Sequence, residues 1–201
     1  MLYSKEDVVR ASGLQMGSSS LAISDWMVAR RIRSELPGIS SASVRLAIPD
    51  TLQIKVSETP ALAILETDSG IVMLSRECHV VSGYSGSEAE LIHIRGIRPE
   101  SAEVGKLLGV SAGESTKLSY LQEFLPALEK EGLLDSVQDI DISNGSDLHF
   151  QYLGRFTVRM GSQEKLLSKL DLMRRIVSTL SIGDNGILDL STEHEGHYIP
   201  G

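Results

Sequence analysis

The sequence predicts an α+β protein in two units: a small one of two helices on a short sheet over residues 1–58, and a larger, mostly antiparallel β unit over 59–201 with two helices on one face. Three observations predict it. Short segments that alternate apolar and polar residues, bounded by Gly, Pro, Asp and Asn, recur from residue 44 to the end. Two longer segments, 117–131 and 163–180, repeat apolar residues at steps of three and four, the period of an amphipathic helix. The first 58 residues read helix, helix, hairpin, and the apolar face of that hairpin must receive both helices.

In the first unit, Ser4 with Asp7 three residues on predicts a capped helix to about Ala11. Gly13 and Gly17 break it, and Ser18, Ser19 and Ser20 form a loop. Ser24 predicts the cap of a second helix, with Ile23 and Val28 at staple positions. Val28, Ala29, Ile32 and Leu36 share its inner face, and Pro37 and Gly38 end it. Val44, Leu46 and Ile48, then Leu52, Ile54 and Val56, predict two strands around a turn at Pro49, Asp50 and Thr51.

In the second unit, 61–66 and 70–74 predict strands around a turn at Asp68, Ser69 and Gly70, and 82–90 a flexible loop. A short strand at 91–94 stops before Gly96 and Pro99. Leu118, Leu121, Leu125 and Leu128 mark the first helix. Strands follow at 138–143, 147–153 and 156–160, with turns at Asn144–Gly145 and Gly154–Arg155. Leu166, Leu170, Met173, Val177 and Leu180 mark the second helix. Residues 186–191 predict a strand and 192–201 a turn with a short final strand.

Composition narrows the function classes. A hydrophobic content of 41% supports a real core. A net charge of −8 argues against nucleic acid and against a membrane surface held by charge. The single cysteine, Cys78, excludes an intrachain disulfide. No apolar run is long enough for a spanning helix and no signal peptide is visible; the abrupt start suggests a fragment.

Motifs for catalysis fall short. His194 and His197 are three apart with Gly196 between, where zincin chemistry needs a helical pair four apart, so an exposed turn is expected and no metal. Gly83 to Ser87 lacks the second glycine of a nucleophile elbow. Cys78 and His79 have no assignable third group. Asp139 and Asp141 share a strand face opposite Ile140 and Ile142, the pattern of a solvated face. No catalytic residue and no cofactor is expected.

Two features point instead to a protein partner. The last strand has no later element to cover it, so it should present an open sheet edge that either stays bare or accepts a partner's strand, with Leu190, Thr192, Glu193, Gly196, His197, Tyr198 and Ile199 as contacts and Pro200 as the stop. The partner should pair along Leu190 to Tyr198, with the 163–180 helix beside it. On the second helix, Arg30, Arg31 and Arg33 read first as a solvated face and second as a docking patch. Trp26 reads first as core and second as a binding anchor; Trp26, Arg30 and Arg33 are the candidate docking residues.

The chain resembles the extracytoplasmic region of the bacterial cell-division family FtsQ, called DivIB in Gram-positive bacteria. The residues that carry the resemblance are Tyr3 to Val8, which match a "YS-x-E-x-I" opening, Ser12 to Leu14 with Gly17 and Leu21, and the helix stop at Leu36 to Ile39. The hairpin from Pro49 to Glu58 matches "P-x-T-L-x-I-x-V-x-E", Leu91 to Gly96 resembles "L-P-x-I-x-G" before Val104 to Leu107, and Leu188 to Leu190 resembles an "I-D-L" strand. The chain departs from the family at Pro60, two residues after Glu58 rather than three, and at Ser75 to Cys78, which stand where "D-x-x-G" is usual. The resemblance implies a POTRA domain over 1–58 lacking its first strand, and a β domain over 59–201. It also implies a non-enzymatic divisome scaffold. Such a scaffold belongs to a single-pass membrane protein at the septum, on the extracytoplasmic side. It binds DivIC (or FtsB) and FtsL and regulates the septal peptidoglycan synthase. The alternatives are a POTRA-bearing translocation or assembly accessory and a hydrolase.

Overall fold

The computed structural model describes residues 3–14, 24–36, 38–47, 51–67, 70–81, 90–192 and 195–201. The expectations for Gly17, Ser18 to Ser20, Leu21, Ile23, Pro37, Ile48, Pro49, Asp50, Asp68, Ser69, residues 82–89, Glu193 and His194 lie outside them. The fold class is α+β, as expected.

Helix α1 (Lys5–Ser12) begins with the expected capping box: the Asp7 N–H donates to Ser4 Oγ at 3.1 Å and the Ser4 N–H donates to Asp7 Oδ2 at 3.1 Å. Helix α2 (Asp25–Glu35) starts after Ser24, whose side chain makes no capping bond; its carbonyl instead accepts the Met27 and Val28 N–H groups. Strands β1 (Ile39–Ala47) and β2 (Thr51–Glu58) form an antiparallel hairpin. β1 begins five residues earlier than the alternation at Val44 suggested: Ile39, Ser41, Ala42 and Ser43 extend its pairing with β2 past a register shift at Ser40. Val8, Ala11, Val28, Ile32, Leu36, Ile39 and Val44 form one buried cluster, joined by the half-buried Leu52, Ile54 and Val56. Both helices therefore sit on the hairpin's apolar face. Leu46 was expected on that face but is exposed, since the helical cover ends before it.

The second cluster shares no residue with the first. It underlies a nine-stranded sheet in the order β13-β12-β11-β10-β9-β6-β3-β4-β5. The strands are β3 (Ala63–Thr67), β4 (Gly70–Leu74), β5 (Val80–Val81), β6 (Ile92–Arg95), β9 (Val137–Asp141), β10 (Leu148–Tyr152), β11 (Phe156–Gly161), β12 (Gly186–Asp189) and β13 (His197–Pro200). A separate antiparallel pair, β7 (Pro99–Ser101) and β8 (Gly109–Val110), was not expected; Pro99 opens a strand rather than closing one. Pairings β3–β6, β6–β9 and β11–β12 are parallel and the other five antiparallel, so the sheet is mixed but mostly antiparallel.

Helices α3 (Ser115–Lys130) and α4 (Leu166–Thr179) cover one face. Register places Ile94, Ile140, Phe150, Val158, Leu188 and Tyr198 side by side across six strands on that face. Leu118, Leu121, Phe124, Leu125 and Leu128 of α3 and Leu166, Leu170 and Met173 of α4 are buried against the same cluster. Lys169 is buried too: its ammonium donates to the carbonyls of Met160 at 2.8 Å and Ser162 at 3.0 Å, tying α4 to the end of β11.

Candidate functional site

The terminal strand lies at one end of the sheet. β13 pairs antiparallel with β12 through Ile187↔Ile199, Leu188↔Tyr198 and Asp189↔His197. Two observations set the phase of its hydrogen bonds. The Gly186 and Leu190 N–H groups donate to the carbonyls of Arg155, just before β11, and Arg159 within it, so the alternate residues Ile187 and Asp189 face β13. The Gly201 N–H donates to the Asn185 carbonyl at 3.0 Å, which makes Gly186↔Pro200 a non-hydrogen-bonded pair. His197 and Ile199 therefore bond to β12. The backbone N–H and C=O of Tyr198 and the C=O of Pro200 point away from the sheet. Proline fits at position 200 because the N–H it lacks would have faced outward.

The edge is held stiffly. The Tyr198 hydroxyl donates to the Asn185 carbonyl at 2.9 Å, and its ring meets Phe156 edge-on at 6.3 Å. Arg155 stacks over Phe156 and donates to the carbonyls of Ser181, Ile182 and Asp184, fixing the turn into β12. Gly186 adopts φ +140°, and a Cβ there would lie 2.1 Å from the Ile199 carbonyl oxygen. A Cβ on Gly196 would meet Ile176 Cδ1 at 2.6 Å and Leu190 at 2.9 Å, so α4 reaches over the start of β13.

The expected contact residues divide accordingly. Leu190 is fully buried, and β12 is paired on both sides, so a partner cannot pair along Leu190; the free edge is β13 alone. Thr192 is exposed and its hydroxyl donates to the Glu195 carbonyl at 2.7 Å. Tyr198 is half-buried and turned to the helical face, whereas His197 and Ile199 are exposed on the opposite face. That helix-free face is a ladder of charge. Arg95, Asp141, His149, Arg159, Asp189 and His197 are successive register partners across six strands. Arg159 donates to Asp147 at 2.8 Å and holds its carboxyl below the usual range. Arg95 pairs with Asp139. Asp139 and Asp141 thus lie on a polar face, as expected. Sequence reasoning missed the ladder because the parallel pairings that align it leave no local signal.

In the first unit, Trp26 is 64% exposed, which overturns the core reading: Val28 and Ile32 set the buried stripe of α2, and Trp26 falls off it. Arg30 and Arg33 are exposed on the same helix. The Cys78 thiol is buried in the larger core, and burial pushes its pKa up to about 12, the opposite of an activated thiolate. Among the described residues no group of three or more His, Cys, Asp or Glu is placed to hold a metal, and no helix is long and apolar enough to cross a membrane.

The family model of the FtsQ-type POTRA domain matches residues 1–59, so the chain carries that domain. The match covers the part of the chain whose motifs resemble the POTRA domain of the FtsQ/DivIB family. No curated protein matches the chain.

Proposed function

We propose that this chain, with its FtsQ-type POTRA domain and the cell-division role that domain suggests, is a non-enzymatic divisome scaffold that receives a partner strand on β13. Its units are a POTRA domain over 1–58 and a β domain over 59–201, which the two separate cores support. The partners are the small bitopic proteins DivIC (or FtsB) with FtsL, and the site is the septum, on the extracytoplasmic side. Gly196, His197, Tyr198 and Ile199 make the contact, with Thr192 and Glu193 in the turn before it. Trp26, Arg30 and Arg33 form a second docking patch on the POTRA domain.

The observation that carries the reading is the outward Tyr198 N–H and C=O on a strand that no other described strand pairs with on that side. Calorimetric titration with the paired ectodomains of DivIC and FtsL tests it. Tyr198→Ala removes the side chain and keeps the N–H; Tyr198→Pro removes both without touching a bond to β12. The proline variant should bind roughly tenfold more weakly than the alanine variant, the equivalent of about one hydrogen bond. Equal binding by two folded variants would refute strand addition at β13.

A further inference from the structure

The helix-free face changes character at the β13 edge. Across the middle of the sheet it displays Arg95, Asp139, Asp141, His149 and Arg159. The row Gln151, Thr157, Ile187, Ile199 instead ends in two isoleucines, which are direct cross-strand partners. Ile187 is 43% and Ile199 51% exposed. A single exposed apolar residue is ordinary, but a β-branched pair that breaks a charged face beside unpaired backbone is not.

We infer that Ile187 and Ile199 form a specificity strip: the segment that adds to β13 carries an apolar side chain opposite Ile199, on the helix-free face. The inference rests on strand addition at β13 and goes beyond it, because the backbone bonds accept any sequence and only the side chains discriminate. Whether the added strand runs parallel or antiparallel, the residue paired with Tyr198 points to the helical face and its neighbour points to the helix-free face. That neighbour lies beside Ile199, which Ile187 backs, so an apolar residue there removes water from Ile199 and a charged one loses its own hydration. The next position lies beside His197, in the row that continues inward through Asp189 and Arg159, and suits a polar side chain. The occupant is thus an extended segment with an apolar and a polar residue two positions apart on one face. A second globular surface would leave the Tyr198 backbone groups unpaired.

The same ectodomain titration tests this with different variants. Ile199→Asp should weaken binding at least tenfold, and Ile199→Thr, which keeps strand propensity, by a few-fold. Ile71→Asp, the same change at an exposed isoleucine paired with Glu66 near the far end of the sheet, should leave binding unchanged. If Tyr198→Pro weakens binding while Ile199→Asp does not, the strip is wrong and strand addition stands. If neither variant weakens binding, or the unmodified chain does not bind, both fail. A concentration-dependent dimer of the chain alone, abolished by Ile199→Asp, would overturn the inference by assigning the strip to a second copy.

Discussion

The two ends of the nine-stranded sheet manage their edges in opposite ways. At the β5 end, the Val80 N–H donates to the Lys106 carbonyl at 2.8 Å, the Val80 carbonyl accepts the Gly105 N–H at 2.7 Å, and the Leu108 N–H donates to the Cys78 carbonyl at 3.0 Å. The segment 105–108 thus closes that edge, and Leu108 seals it from the core. At the β13 end, alternate backbone groups point outward, and among the described residues Pro200 is what limits pairing. Both ends belong to one sheet on one core, so the open edge is not forced by the fold. The β13 edge is stiffened by Arg155 and Tyr198, which would lower the ordering cost of the proposed strand addition.

Amide exchange breaks the comparison most directly. The Val80 amide should exchange at least a hundredfold more slowly than the Tyr198 amide, and equal protection would mean that β13 is covered. Emptying the seal comes next. Leu108 is 1% exposed, and Leu108→Ala should cost about 2–5 kcal/mol in denaturant unfolding while raising Val80 exchange toward that of Tyr198. A loss of stability without faster Val80 exchange would show that Leu108 packs the core without closing the edge.

Acid sharpens the other end. Arg159 lowers the Asp147 pKa in the folded chain, so the folded state gives up that proton more readily than the unfolded one. The stability it contributes is present above the ordinary carboxylate pKa of about 4 and is lost as pH falls through the lowered value. Unfolding midpoints measured from pH 6 to 3 should fall less steeply for Arg159→Met than for the parent; parallel curves would remove Asp147 from the account. The smallest effect is expected at Cys78, which holds φ 61° beside the closed edge. Cys78→Gly relieves left-handed strain but loses a buried side chain, so stability should change by less than about 1 kcal/mol. A loss above about 2 kcal/mol would mean that packing outweighs strain there.

Much of the fold was legible because its signals are local. Period-two alternation marked β2, β10 and β11, helical spacing marked α3 and α4, and the Ser4–Asp7 box marked α1. Strands β5, β7 and β8 are two or three residues long, too short for any period to show. Trp26 was misplaced because one residue at the margin of a stripe cannot be assigned until Val28 and Ile32 choose the buried direction.

The candidate edge divides along the same line. The sequence by itself determined that a short strand with Pro200 follows a long helix, a helix-to-edge order that local spacing and turn residues make readable. It also determined which residues alternate along that strand. The tertiary structure alone decided that β13 pairs with β12 and not at the other end of the sheet. It also decided that Leu190 is interior, that Tyr198 turns its backbone outward, and that Ile187 and Ile199 stand together at the end of a charged face. Alternation is a property of neighbours in the chain. The side of a strand left unpaired depends on register with residues far away in sequence, which no local pattern encodes.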